Sequence, residues 1–158
     1  MLTKTMKMHK VEILIKDNKW KKELSDIESL FYSYFHTIFQ TIEKFKQKKL
    51  EISILLTNTR EMKILNKKFR KKNKDTDVLS FPNYPKSFFS QKKIPNDIFL
   101  GDLAISYNYI KKKKLNFAKY IEKIFVHGCL HLVGYKHDNM KEYNEMSKIE
   151  KKILSQLQ

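Results

Sequence analysis

The chain has 158 residues, one domain's worth, and is 41% hydrophobic and 13% aromatic, which argues against a disordered chain. Thirty-three basic residues against 17 acidic ones give a formal charge of +16, a surface that attracts polyanions such as nucleic acid or an anionic membrane, unless it only reflects a lysine-rich proteome. One cysteine, Cys129, excludes an internal disulfide and a cysteine-built zinc site; no apolar run fits a signal peptide near the start or a membrane span anywhere, so the expectation is a soluble cytoplasmic protein.

Val11–Ile15 predicts a strand. Asn18 is placed to cap a long helix from about Trp20 to Phe45, whose apolar residues Leu24, Ile27, Leu30, Phe31, Tyr34, Ile38 and Ile42 recur at helical spacing. Glu51–Leu56 predicts a second strand, and Asn58 or Thr59 the cap of a helix carrying Met62, Leu65 and Phe69. Asp77–Phe81 predicts a short strand ended by Pro82. Pro82 to Asp97 holds all three prolines and reads as a surface loop. A strand over Ile98–Ser106 follows, then a basic segment, a helix from about Phe117 to Val133, and a last amphipathic helix from about Met140 to Leu157 that reads as packing. With no repeat and no linker, the chain is expected to form a single α+β domain over residues 1–158, with a small mixed four-stranded sheet packed with helices.

Three of the five histidines, His127, His131 and His137, fall within eleven residues. A spacing of four puts His127 and His131 on one face of a helix, and Gly134 allows the left-handed turn that can return His137 to the same ion. This H-x3-H-x5-H pattern matches the metal-binding half of the metzincin motif, but Gly128 stands where a metzincin carries its general-base Glu, which argues against a peptidase. Three imidazoles hold a zinc ion with one position left for water, lowering the pKa of that water to about 7 and making it a nucleophile at neutral pH. His9 and His36 lack such a context and read as structural. Cys129 lies about 200° round the helix from His127 and reads as core.

The stretch from His127 to His137, HGCLHLVGYKH, closely resembles the signature of the YbeY family of bacterial endoribonucleases and ribosomal RNA maturation factors. Two further blocks agree in the same order: Leu65-Asn66, Phe69-Arg70 and Asp75–Pro82 form one, Leu100–Ile105 the other. The three blocks span roughly half the chain. All three glycines, Gly101, Gly128 and Gly134, lie inside them.

The resemblance implies a metzincin-like metal-binding helix, one zinc per chain on His127, His131 and His137, and a catalytic Arg70. Arg70 is one of only two arginines, which suggests a need for the planar guanidinium; the family role reads as a clamp on the scissile phosphate. It further implies a single-strand-specific endoribonuclease acting in 3′-end maturation of 16S ribosomal RNA and in ribosome quality control. The implied partners are small-subunit RNA, the small ribosomal subunit and its assembly factors, with no membrane. Lys136 departs from the family, which commonly has Asp before the third histidine; Asp138 is placed to take over its role toward His137. Asp77 and Asp102 are candidates for orienting nearby loops or a histidine. The four lysines from Lys111 to Lys114 read as a solvated face more readily than as an RNA contact. Two other classes stay open: a non-catalytic, zinc-stabilised ribosome assembly factor, and a zinc peptidase.

Overall fold

A computed structural model describes residues 8–158. Its architecture follows from the alternation in the second strand. Leu50, Ile52, Ile54 and Leu56 are buried on one face of β2 (Lys49–Thr57), while Ser53 and Leu55 point to the other. β2 pairs in parallel with β1 (Lys10–Ile15) on one side and with β4 (Asp97–Ser106) on the other, and β3 (Val78–Pro82) closes the sheet antiparallel to β4. The order is β1-β2-β4-β3, the small mixed sheet expected of this α+β chain.

Helices cover the two faces unequally. α1 (Lys19–Glu23), α2 (Ile27–Thr41), α6 (Phe117–Leu132) and α7 (Met140–Gln156) build the main core around Trp20, Phe31, Phe35, Phe39 and Phe125, with α5 (Tyr107–Lys112) at its margin. On the opposite face α3 (Thr59–Arg70) makes a smaller core, where Met62 meets Leu79 and Ala104 with Leu65 and Phe81 beside them. The three longer helices after β2 start alike. Asn58, Asn116 and Asn139 each accept a hydrogen bond from a backbone N–H of the first turn, at 3.2, 3.0 and 2.9 Å, and each cap is worth about 1 kcal/mol.

Three local expectations need correction. The helix expected from Trp20 to Phe45 is three pieces: α1, α2, and a 3-10 turn over Glu43–Phe45. The tertiary structure breaks it: fully buried Trp20 donates from Nε1 to the Thr57 carbonyl at 2.9 Å, drawing α1 into the core, and extended Leu24 and left-handed Asp26 restart the chain. Asn18 makes no side-chain cap; Asp17 accepts from Lys19 N–H instead. Within the Pro82–Asp97 segment lies a short helix, α4 (Lys86–Phe89), that buries Phe89, and Ile94 is buried too.

Gly101 carries a requirement of its own. The β2–β4 register shifts beside it, its φ is +135°, and a Cβ there would lie 2.2 Å from the Phe81 carbonyl oxygen. Only glycine fits this bulge.

His9 is structural, as expected. It is 4% exposed, and Nδ1 accepts from the Leu50 N–H at 3.1 Å. Burial and the nearby His36 ring push its pKa down to about 4. The unfolded imidazole titrates near 6.5, so the unfolded chain takes up this proton first. The contribution is therefore complete above that pH and is lost as pH falls toward 4. Urea unfolding is expected to show a loss of about 2 kcal/mol between pH 8 and pH 5 from this group. The His9→Asn variant, which keeps an acceptor and cannot titrate, should lack that component.

Candidate metal centre

α6 ends in a way that builds the site. Gly134, at φ +96°, donates its N–H to the His131 carbonyl, and Tyr135 N–H reaches back to the Leu130 carbonyl, both at 3.1 Å. This paired closure is a Schellman turn. It leaves the Tyr135 carbonyl oxygen 2.9 Å from His131 Nδ1 and returns the chain so that His137 faces the helix. The ring centroids of the three histidines lie 4.5, 4.9 and 5.4 Å apart, and one nitrogen from each falls within 4.8 Å of the others. The sequence spacing thus becomes one cluster, with His127 and His131 half-buried and His137 exposed.

The chemistry of the ring nitrogens fits a cation. The Tyr135 carbonyl only accepts, so His131 Nδ1 carries the hydrogen; the Glu150 carboxylate, 2.7 Å from His127 Nδ1, fixes the same tautomer there. Both Nε2 atoms then hold lone pairs, and they face each other 2.9 Å apart. Burial, with His127 as the next cause, holds the His131 pKa below its ordinary value, which keeps that ring neutral. Two lone pairs at this separation repel unless a cation lies between them. A tetrahedral zinc with nitrogens at about 2.0–2.1 Å would space them about 3.3 Å apart, so a small opening of the pair suffices.

Glu150 is the residue the sequence reading missed. α7 does pack, through Met146 and Ile153, but Glu150 sits on that same stripe at helical spacing and directs its carboxylate to His127. The available signal was an acidic residue on an otherwise apolar face. Such partners orient a ligating ring and raise its basicity. Glu150→Gln is expected to weaken zinc binding about 10–100-fold while leaving the fold intact, as isothermal titration with zinc would measure.

The other candidates divide. Arg70 ends α3, is exposed, and lines the same cleft as the three histidines, a cavity of about 1290 Å³ that also receives Lys86, Lys123 and Lys136. Among the described residues Arg70 has no ion pair. Asp77 orients the loop before β3: it accepts from Val78 N–H at 2.7 Å and from the Tyr120 hydroxyl at 2.9 Å, whose pKa burial and this carboxylate push far up. It makes no hydrogen bond to a histidine. Asp102 lies on the α3 face of β4, beside Phe81 and Ser53, away from the histidines. The role expected of Asp138 toward His137 is not met: among the described residues its carboxylate makes no hydrogen bond to that ring, and its backbone N–H donates to Glu142. Lys136 is exposed at the cleft. Lys111–Lys114 is exposed and lies outside the cleft lining. Cys129 is fully buried, and burial pushes its thiol pKa up.

Gly128 explains why no base follows His127. A Cβ at that position would meet Leu103 Cδ2 at 3.0 Å and Val78 Cγ2 at 3.2 Å, and its carbonyl accepts from Ser80 Oγ. Position 128 faces the packing between α6 and the sheet, so a glutamate there would displace β3 and β4 side chains.

Comparison with known proteins agrees with this geometry. A family model described as Endoribonuclease YbeY matches residues 12–158. The chain is 40% identical over 147 residues to a Pelagibacter ubique protein named Endoribonuclease YbeY, covering 90% of this chain and 92% of that protein. It is 41% identical over 115 residues to a protein of the same name from Buchnera aphidicola (subspecies Schizaphis graminum), covering 70% and 69%. The solution structure of TM1509 from Thermotoga maritima shares the fold, with a TM-score of 0.55 at 21% identity over 92% of this chain and 87% of that one. With a family match that runs from the first strand through the last helix, this chain belongs to the Endoribonuclease YbeY family.

Proposed function

We propose that this protein is a zinc-dependent endoribonuclease that cuts single-stranded RNA in ribosomal RNA processing. The observation that carries the reading is the convergence of His127, His131 and His137 on one cleft with Arg70, which has no ion pair among the described residues. The family name and the relatives' names support RNA as substrate. The resemblance read from the sequence motifs extends the proposal: the substrate is the 3′ end of small-subunit RNA, the partners are the small subunit and its assembly factors, and quality control of ribosomes is a second role.

His127, His131 and His137 would hold one zinc ion, which when bound supplies an activated water and a Lewis acid for the phosphoryl group. Glu150 and the Tyr135 carbonyl keep the two helical rings in the tautomer that offers Nε2. Arg70 binds the non-bridging oxygens of the scissile phosphate and stabilises the charge that grows on them. Lys86, Lys123 and Lys136 hold the flanking backbone without reading sequence. No helix among the described residues is long and apolar enough to cross a membrane. The cytoplasm is the compartment in which this substrate is found.

The test is digestion of a single-stranded ribosomal RNA fragment by zinc-loaded protein, alongside chelated protein and a peptide library. Cleavage of RNA that stops on chelation and returns with zinc supports the reading. RNA left intact, with peptides cut, would replace it with a peptidase. RNA bound and never cut would leave the assembly-factor reading in its place.

A further inference from the structure

Phe69 stands where a packing residue should not. It extends the Met62–Leu65 stripe of α3, yet its side of the helix has run beyond the small core, and 56% of the residue is exposed. The ring is not loose. Phe81 of β3 meets it at 5.0 Å between centroids with planes 68° apart, which holds the ring on one side. Phe69 and Phe81 both line the large cleft, together with Arg70, the next residue after Phe69. The Lys68 ammonium also lies near the ring, 5.3 Å from its centroid. That lysine is a long, flexible cation, able to leave the ring for a phosphate when a flat ligand arrives.

We propose that Phe69 is a stacking platform for an unpaired nucleobase, the base adjoining the phosphate held by Arg70. This deepens the endoribonuclease reading and rests on it. An exposed aromatic ring held on one side, in a cleft that also presents arginine and lysine side chains, is the arrangement by which proteins hold single strands without reading sequence. Stacking here also discriminates. In a duplex the base faces are occupied by neighbours, so only an unpaired nucleotide can lay its face on Phe69. The surrounding lysines bind phosphates of either form, whereas this ring gives the cleft its preference for single strands. A ring used only to cover Phe81 would be replaceable by any apolar side chain of similar bulk. The two roles therefore separate experimentally.

The experiment uses the full chain, metal-free so that RNA stays intact. The probe is a single-stranded oligoribonucleotide of about ten nucleotides with one 2-aminopurine placed at successive positions. Wild type is expected to change the 2-aminopurine fluorescence at one or two adjacent positions. Phe69→Leu, which keeps the apolar cover on Phe81, should lose that change and bind roughly 5- to 100-fold more weakly. Phe69→Tyr should restore both to within about twofold, and binding of a duplex of the same sequence should be unchanged in all three proteins. Equal binding by wild type and Phe69→Leu, or no fluorescence change at any position, overturns the stacking assignment. If zinc-loaded wild type still cuts the RNA, the endoribonuclease reading survives that result. Wild type that neither binds nor cuts single-stranded RNA overturns both.

Discussion

Replacing His131 by alanine is expected to abolish zinc binding and RNA cleavage together while the fold persists. His131 contributes at both ends of its ring. Nε2 faces His127 Nε2 at 2.9 Å, and Nδ1–H ties the ring to the Tyr135 carbonyl at the turn that delivers His137. The variant thus loses one ligand outright and loosens the segment that carries another. The effect should exceed the roughly 10–100-fold that loss of an outer partner such as Glu150 costs. Metal analysis should find about one zinc per chain in wild type and none retained in the variant. Added zinc is expected to raise the melting temperature of the wild type, as a ligand that binds only the folded chain does, and that rise should vanish in the variant. Circular dichroism checks that the helices remain. A variant that still holds one tight zinc would place the ion elsewhere and sink the assignment.

Arg70→Ala separates chemistry from metal binding. The residue is exposed at the end of α3 and has no ion pair among the described residues, so its removal should change stability by no more than about 0.5 kcal/mol. It is not a ligand, so zinc content and affinity should match wild type. Cleavage should fall about 100- to 1000-fold in kcat/KM, the size of effect seen when one donor to a developing oxyanion is lost. Arg70→Lys should recover only part of this, because an ammonium restores charge without the planar pair of donors. Wild-type cleavage by Arg70→Ala would remove Arg70 from the chemistry. Complementation of a deletion strain by a variant that cannot cleave would favour the assembly role.

Much of the fold was legible because local rules were enough. All four strands and the longer helices from α3 onward announce themselves by alternation, helical spacing and asparagine caps, with ends shifting by a residue or two. The histidine cluster was legible for the same reason. All three histidines lie on one helix and its closing turn, and Gly134 marks that turn. Where apolar periodicity ran on without interruption, from Trp20 to Phe45, spacing could not reveal a break. The break is made by Trp20 reaching Thr57, a contact between residues 37 apart in the chain.

Residue type and spacing therefore settled what is local: the strands, the helix that carries the paired histidines, and the family to which the chain belongs. Partners distant in sequence were settled only by packing. Glu150 meets His127 because α7 lies against α6, and Arg70 shares a cleft with the histidines because β3 runs between α3 and α6. The physical reason is that a helix or strand pattern records which face is buried, whereas the identity of what covers that face depends on how the whole chain packs.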